Sequence, residues 1–186
     1  MTEVRQVGVA IGIPEPYSSE LQGFRKRLGD PNAANIPPHV TLLPPTPLRP
    51  EDLDEVEEHL REVAQRGEAF VMHLRGSATF RPVSPVVFVP LAEGISSCER
   101  LEAAVRSGPL QREVTFPYHP HVTVAHDVAE AQLDQAFAEV ASYDARFRVW
   151  GFSMFERGAD AMWRPLRDFP FGMPLPGPVL PPGEAG

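Results

Sequence analysis

Apolar residues in the first part of the chain show the spacing of a strand and then the spacing of a helix. Residues 4–13 (VRQVGVAIGI) are rich in β-prone side chains and precede Pro14 and Pro16, which cannot donate hydrogen bonds to a sheet. This segment therefore predicts a strand. The next apolar residues fall three or four positions apart, as on one face of a helix. They are Tyr17, Leu21, Phe24 and Leu28.

The same two spacings recur in the rest of the first half. Residues 39–43 (HVTLL) predict a short strand that ends at the Pro-Pro pair 44–45. Residues 50–65 have apolar side chains at helical intervals and acidic residues in the first turn, where the helix dipole favours negative charge. Residues 70–75 alternate between the two faces of a strand that is predicted to extend toward Phe80.

The second half begins with the same order of elements. Residues 86–89 (VVFV) are apolar at every position, which predicts a strand covered on both faces. Cys98, Leu101 and Val105 mark one face of a helix. Residues 121–124 (HVTV) then predict a second short strand.

A fourth helix and a hairpin are predicted to follow. Asp127 is the predicted N-cap of the helix. Its inward residues are predicted to be Ala129, Leu133, Phe137 and Val140. Residues 145–155 predict one strand, and residues 161–166 predict a second strand that returns beside it. Residues 173–186, rich in Pro and Gly, predict a disordered tail.

Two identical tetrapeptides, PHVT, stand at residues 38–41 and 120–123. Each follows a strand and a helix and precedes a helix and a strand, so the chain contains an internal duplication. The duplication predicts two similar lobes related by an approximate two-fold axis, with the two PHVT strands meeting near it. Residues 1–172 are expected to form this single bilobal domain, with lobes near 1–80 and 85–172 that can exchange strands.

Composition narrows the classes of function. The formal net charge of −8 argues against broad capture of long nucleic acid, so DNA is not an expected partner. No apolar run approaches the roughly 18 residues of a membrane span, and the amino terminus lacks the pattern of a signal peptide. A single cysteine, Cys98, excludes an intramolecular disulfide. We therefore expect a cytoplasmic, monomeric protein without a membrane partner.

Paired His-x-Thr motifs predict acid–base chemistry. Because side chains alternate across a sheet, His39 and Thr41 share one face of their strand, as do His121 and Thr123. A neutral imidazole can accept a proton from an attacking oxygen while a protonated one donates to a leaving oxygen, which is what phosphodiester cleavage without a metal requires. Threonine hydroxyls can hold the phosphate oxygens. A repeat can also keep residues for folding alone, so a purely structural duplication stays open.

The paired motifs resemble those of the 2H phosphoesterase superfamily, in particular its bacterial 2′-5′ RNA ligase and cyclic phosphodiesterase branch. The resemblance implies a bilobal α+β fold, with two antiparallel-rich sheets and flanking helices around a central cleft. It implies hydrolysis of 2′,3′-cyclic phosphate on a nucleotide or RNA end, with 2′-5′ ligation as a related activity. His39, Thr41, His121 and Thr123 are the catalytic residues that it implies, and no cofactor is expected.

One position departs from the resemblance, since many relatives carry Arg where this chain has His126. An imidazole is charged only part of the time, whereas a guanidinium is always charged. This difference motivates an alternative, a nucleotide-binding or phosphorylated-ligand-binding module without turnover. Tyr118, Phe80 and Arg81 are further candidates for substrate binding, although an aromatic side chain in a loop or at a strand end more often serves packing. Arg148 and Arg164 could also line the cleft.

A metal site is the weaker interpretation of the second motif. His119 and His121 could chelate a metal, but no third ligand follows at a recognised spacing. The expected partner is therefore a small nucleotide or an RNA terminus that carries a phosphodiester.

Overall fold

The computed structural model describes residues 4–172, and the predicted tail at 173–186 lies outside them. The helices within the described residues are α1 (Tyr17–Arg27), α2 (Leu53–Arg66), α3 (Ile95–Val105) and α4 (Glu130–Glu139). The strands are β1 (Arg5–Gly12), β2 (His39–Leu48), β3 (Phe70–Arg75), β4 (Ala78–Thr79), β5 (Val86–Glu93), β6 (His121–His126), β7 (Asp144–Val149), β8 (Gly151–Arg157) and β9 (Trp163–Pro170). None of these helices is long and apolar enough to cross a membrane.

The strands form two antiparallel sheets, which confirms the predicted α+β class. The first sheet has the order β2-β1-β8-β9. In the second sheet β5 pairs with β6 on one side and with β3 and β4 on the other, and β7 pairs with β3. The first sheet thus takes two strands from the second half of the chain, while the second sheet takes two from the first half.

Contacts between the two halves repeat in matching pairs. Helix α1 packs against β6 while α3 packs against β2, and the two motif strands β2 and β6 lie against each other. The ring of His59 on α2 donates from Nε2 to the carbonyl of Val105 at the end of α3, at 3.1 Å. Gln132 on α4 likewise donates from Nε2 to the carbonyl of Leu28 just after α1, at 2.7 Å. These matched contacts bring the two PHVT strands together.

Both motif strands carry one extra residue at the same place. Leu42 has no partner on β1, although residues on either side of it are paired. Val124 likewise has no partner on β5. An extra residue reverses the alternation of side chains beyond it, so a position that would have pointed to the core points away from it. Pro44 and His126 each lie two residues beyond the extra one.

Strand β2 is longer than the sequence predicts. The expectation that it ends at Pro44 and Pro45 is wrong, because the strand continues to Leu48. It lies at the edge of its sheet, where a residue without an N–H group can point its nitrogen away from the ladder. A second register shift also falls between the partners of Val7 and Val9, where the two prolines lie.

The single strand predicted at 145–155 is wrong. The chain leaves the second sheet at the end of β7, passes through Trp150, which is 64% exposed, and enters the first sheet as β8. Both strands are β-prone, so the local pattern does not reveal the change of sheet. The hairpin that follows is confirmed, with Gly151 opposite Pro170 and Arg157 opposite Trp163.

The start and the buried face of α4 differ from the prediction. Asp127 has a left-handed backbone with φ of 57° and does not cap the helix. Ala129 is the N-cap residue, and its N–H donates to Gln132 Oε1 at 3.0 Å. Phe137 is 39% exposed, whereas Ala136 is fully buried beside Leu133 and Val140. Leu133 and Val140 are thus buried as predicted, and Ala136 takes the place predicted for Phe137.

A buried ion pair fixes the loop before the first motif. Arg25 and Asp30 are only 4% and 6% exposed, and Arg25 Nε donates to Asp30 Oδ2 at 2.8 Å. Arg25 Nη1 also donates to the carbonyl of Ile36 at 2.6 Å. Asp30 Oδ1 accepts from the N–H of Asn32 at 2.8 Å. The pair therefore connects the end of α1 to the segment that leads into His39.

Replacing Leu133 by Ala tests the corrected face of α4. Leu133 is 1% exposed, and the cavity left by its side chain is expected to lower the free energy of unfolding by about 2–5 kcal/mol. Phe137→Ala, in the same helix, is the matched control and is expected to cost at most about 1 kcal/mol. Urea denaturation measures both. Equal losses in the two variants would contradict the assignment.

Replacing Asp30 by Ala tests the buried ion pair. The variant leaves the Arg25 guanidinium buried without its counter-charge, which is expected to lower the free energy of unfolding by about 3–5 kcal/mol. Asp160→Ala is the control, because Asp160 pairs with Arg164 at the exposed surface. Its loss should not measurably change the denaturation midpoint. A stable Asp30→Ala protein would show that the loop does not depend on the pair.

Candidate active site

The two motif strands expose and bury their residues in the same order. Val40 and Val122 are fully buried in the core. The histidine and threonine of each motif are half-buried on the opposite face of their strand. They are His39, Thr41, His121 and Thr123. The strand period therefore keeps four polar side chains out of the core.

Each motif imidazole makes the same hydrogen bond to its own backbone. His39 Nδ1 lies 2.8 Å from the carbonyl oxygen of Pro37, and His121 Nδ1 lies 2.7 Å from that of His119. A carbonyl oxygen can only accept, so Nδ1 carries a proton in both rings. In the neutral imidazole Nε2 then holds the free lone pair. Both rings thus have one fixed nitrogen and one nitrogen for proton transfer.

The environment of the two rings favours their neutral form. Burial lowers the pKa of His39 below its ordinary value of 6.5; the hydrogen bond to Pro37 opposes this, and the charges of Arg25 and His121 lower it further. Burial also lowers the pKa of His121, against the effect of its bond to His119. Both imidazoles are therefore easier to deprotonate than a solvent-exposed histidine side chain.

Two adjoining cavities open beside His39. The larger has a volume of about 350 Å³ and is lined by residues that include His39, Thr123, His126, Arg25, Arg157 and Trp163. The smaller has a volume of about 190 Å³, and its lining includes His39, Thr41, Pro44 and Trp163. His39 and Trp163 border both. Three of the four motif residues therefore line this pair of cavities, each strand contributing a threonine.

His121 lies against aromatic side chains of the second sheet. Its ring centroid is 5.0 Å from the rings of Phe80 and Phe88, and Phe80 meets it edge-on. It lines neither of the two cavities beside His39. Phe80, a predicted substrate contact, is thus in direct contact with a motif histidine.

Tyr118 and Arg81 are engaged with other parts of the protein. The hydroxyl of Tyr118 donates to the carbonyl of Thr41 at 2.8 Å, which joins the loop of the second motif to the strand of the first. Burial raises the pKa of Tyr118. The guanidinium of Arg81 forms ion pairs with Glu130 and Asp134 on α4. Neither residue lines the cavities beside His39, and their binding of substrate stays a prediction.

Trp163 is not among the site residues predicted from the sequence, in which it is only one residue of the predicted returning strand. Its backbone N–H donates to the carbonyl of Asn35 at 2.8 Å, which ties β9 to the loop before His39. Its ring lies close over Gly8 on β1, where an added Cβ would be 3.4 Å from the ring edge. The missing side chain at Gly8 lets this ring form a wall of both cavities.

The arginines of the cavity also differ from those that the sequence suggested. Arg164 is paired with Asp160, and Arg148 lies over the ring of Trp150. Arg25 and Arg157 line the larger cavity instead. No local signal marks these two, since one belongs to a helix and the other to a strand end far along the chain.

Two other features lie apart from the motifs. Residues 4–172 hold no group of three or more His, Cys, Asp or Glu side chains arranged to bind a metal ion. A cavity of about 550 Å³ between α2 and α3 is lined by residues such as His59, Arg66 and Arg100. It contains no residue of either motif.

The chain is similar to curated proteins in sequence and to solved structures in fold. A curated protein of Oceanobacillus iheyensis, provisionally named a phosphoesterase, is 31% identical over 147 residues, which are 79% of this chain and 81% of that one. A protein of the same description from Bacillus licheniformis is 30% identical over 138 residues, 74% and 80% of the two chains. The E. coli LigT structure with 3′-AMP has a TM-score of 0.68 and 19% identity, covering 92% of this chain and all of LigT.

The family model described as the 2′-5′ RNA ligase superfamily matches residues 13–161. That range contains both PHVT motifs and ends within the closing hairpin. The match agrees with the fold and with the two curated relatives, and it confirms the predicted relationship to the 2H phosphoesterases. The chain belongs to the 2′-5′ RNA ligase superfamily.

Proposed function

We propose that the protein is a metal-independent phosphodiesterase that opens 2′,3′-cyclic phosphates on nucleotides or RNA ends, with 2′-5′ ligation as a related activity in which a 5′-hydroxyl replaces water. The observation that carries the proposal is the matched state of His39 and His121. Each ring has Nδ1 bonded to its own backbone, so Nε2 is the nitrogen available for proton transfer. Burial lowers the pKa of both rings, which favours the neutral form that accepts a proton. General acid–base catalysis requires such a pair of groups.

The nucleoside is proposed to occupy the larger cavity beside His39. The Trp163 side chain offers an aromatic surface for a base, and aromatic stacking accepts any base. The amide side chains of Asn32 and Asn35 line the same cavity and can both donate and accept hydrogen bonds. A fold neighbour, LigT, has been crystallised with 3′-AMP, which supports a small nucleotide as the ligand.

This placement assigns the two imidazoles. The ribose oxygen that leaves phosphorus lies on the nucleoside side, next to His39. His121 Nε2 accepts a proton from water as the water oxygen bonds to phosphorus. His39 Nε2–H donates its proton to the ribose oxygen as the old phosphorus–oxygen bond breaks. Exchange with solvent restores both rings. Ligation would follow the same steps with a 5′-hydroxyl in place of water.

The threonines complete the proposed phosphate site. Thr41 and Thr123 lie two residues after their histidines, on the same face of each strand. Their hydroxyls can donate to the non-bridging oxygens, on which negative charge grows in the transition state. Bound phosphate is itself an anion near the two rings, so it should raise their pKa values and favour the protonated acid.

Replacing either motif histidine tests the acid–base pair. His39→Ala and His121→Ala should each lower kcat/KM for 2′,3′-cyclic nucleotides in EDTA by about 100-fold or more. His73→Ala is a matched control, since His73 bonds to Asp144 on the second sheet and lines neither cavity beside His39. A motif variant that loses less than tenfold would remove that histidine from the mechanism. Tight binding of 3′-AMP by a wild-type protein that hydrolyses no cyclic nucleotide would favour the binding-module alternative.

The pH dependence of kcat/KM tests the same pair independently. The free enzyme is active when one imidazole is neutral and the other protonated. Below the lower pKa the base is protonated, and above the higher pKa the acid has lost its proton. Because burial lowers both pKa values below 6.5, a bell-shaped profile with its maximum below pH 6.5 is expected. Initial rates in EDTA across pH 4–9 measure it. A rate that rises steadily with pH would contradict a two-imidazole mechanism.

A further inference from the structure

We propose that Arg157 is the residue that binds the substrate phosphate through a permanent positive charge. This inference rests on the proposed function, because it names the cation of the same site. Position 126 supplies only an imidazole, which is charged in its protonated form alone. A phosphodiester is always anionic near neutral pH, and the chain has a net charge of −8. A local cation that does not titrate is therefore needed to hold it.

Arg157 shares its cavity with the residues expected to touch phosphate. It lies at the end of β8, and the larger cavity that it lines also contains His39, Thr123 and His126. The extra residue at Val124 returns His126 to the face of Thr123. The cavity thus contains the Thr123 hydroxyl and the His126 imidazole from β6, together with the Arg157 guanidinium from the first sheet.

Arg157 is the arginine of this cavity whose charge is not already neutralised. Within residues 4–172, no carboxylate lies within ion-pair distance of it. Arg25 lines the same cavity, but its Nε and Nη1 groups are bonded to Asp30 and to the carbonyl of Ile36. The Arg157 guanidinium keeps its donors for a ligand, and its planar fork matches two phosphate oxygens.

The β8–β9 hairpin holds Arg157 beside Trp163, the proposed stacking surface for the base. Arg157 pairs in register with Trp163 across β8 and β9, and with Gln6 on β1. Trp163 is itself fixed to the loop before His39 through Asn35. Arg157 therefore lies on an inner strand of the first sheet, next to Trp163, whose ring would stack on the base. A nucleotide bound there would meet a cation and an aromatic surface on adjacent strands.

The test measures the binding of inorganic phosphate by calorimetry at pH 7, apart from turnover. Arg157→Ala and Arg157→Met should each weaken phosphate binding by about tenfold or more, as expected for the loss of a charged hydrogen bond. Arg157→Lys should recover part of the affinity, since it keeps the charge but loses the fork. Arg164→Ala is the matched control on the same hairpin, because Asp160 already holds that guanidinium at 2.6 and 2.9 Å. The affinity of Arg164→Ala protein for phosphate should stay within twofold of that of wild type.

A rescue variant separates charge from structure. In Arg157→Ala protein, a second change of His126→Arg places a permanent cation in the same cavity and should restore at least half of the lost binding, with KM for cyclic nucleotide falling in parallel. Arg157→Ala protein that binds phosphate like wild type, or gains nothing from the second change, would overturn the inference. In a further outcome, the phosphate affinities of wild type and variants follow the expected order while the wild-type protein hydrolyses no cyclic nucleotide. That result would support this inference and refute the proposed function.

Discussion

Burial of one face of each motif strand is the constraint on which the site depends. Val40 and Val122 fill the core, so the alternation of a strand forces the histidine and threonine of each motif to the other face. Core packing thus orients these polar side chains even though they need not contact one another. A shift of one residue in either strand would bury the imidazole and expose the valine. The packing that stabilises the core therefore also sets the orientation of the motif side chains.

The duplication reproduces the geometry of the motif but not that of its surroundings. Both imidazoles bond to the carbonyl two residues earlier, and both strands hold an extra residue three positions after the histidine. Beyond it, the first strand presents Pro44 and the second presents His126. The two cavities that border His39 are not lined by His121. Matching motif histidines thus have different surroundings, which suits the proposed substrate, whose nucleoside and attacking water would approach from opposite sides.

The exchange of strands between sheets accounts for that asymmetry. The hairpin of β8 and β9 comes from the second half of the chain but joins the first sheet beside β1. It carries Arg157 and Trp163 to the cavity of the first motif. The acidic chain thereby concentrates guanidinium groups where an anion would bind, although most of its charge is negative. Local fields rather than net charge govern binding in such a cleft.

Most helices and strands, the repeat and the faces of the motif strands could be predicted from the amino-acid sequence, because the spacing of apolar residues reports burial within one element. It predicted the hairpin and the family, and placed His39, Thr41, His121 and Thr123 on the polar faces of their strands. It missed the exit from one sheet at Trp150, the later start of α4 and the place of Arg157 in the larger cavity. These depend on which strands pair and where a register slips. Such features cannot be predicted from local patterns, since they are set by contacts between residues far apart in the chain.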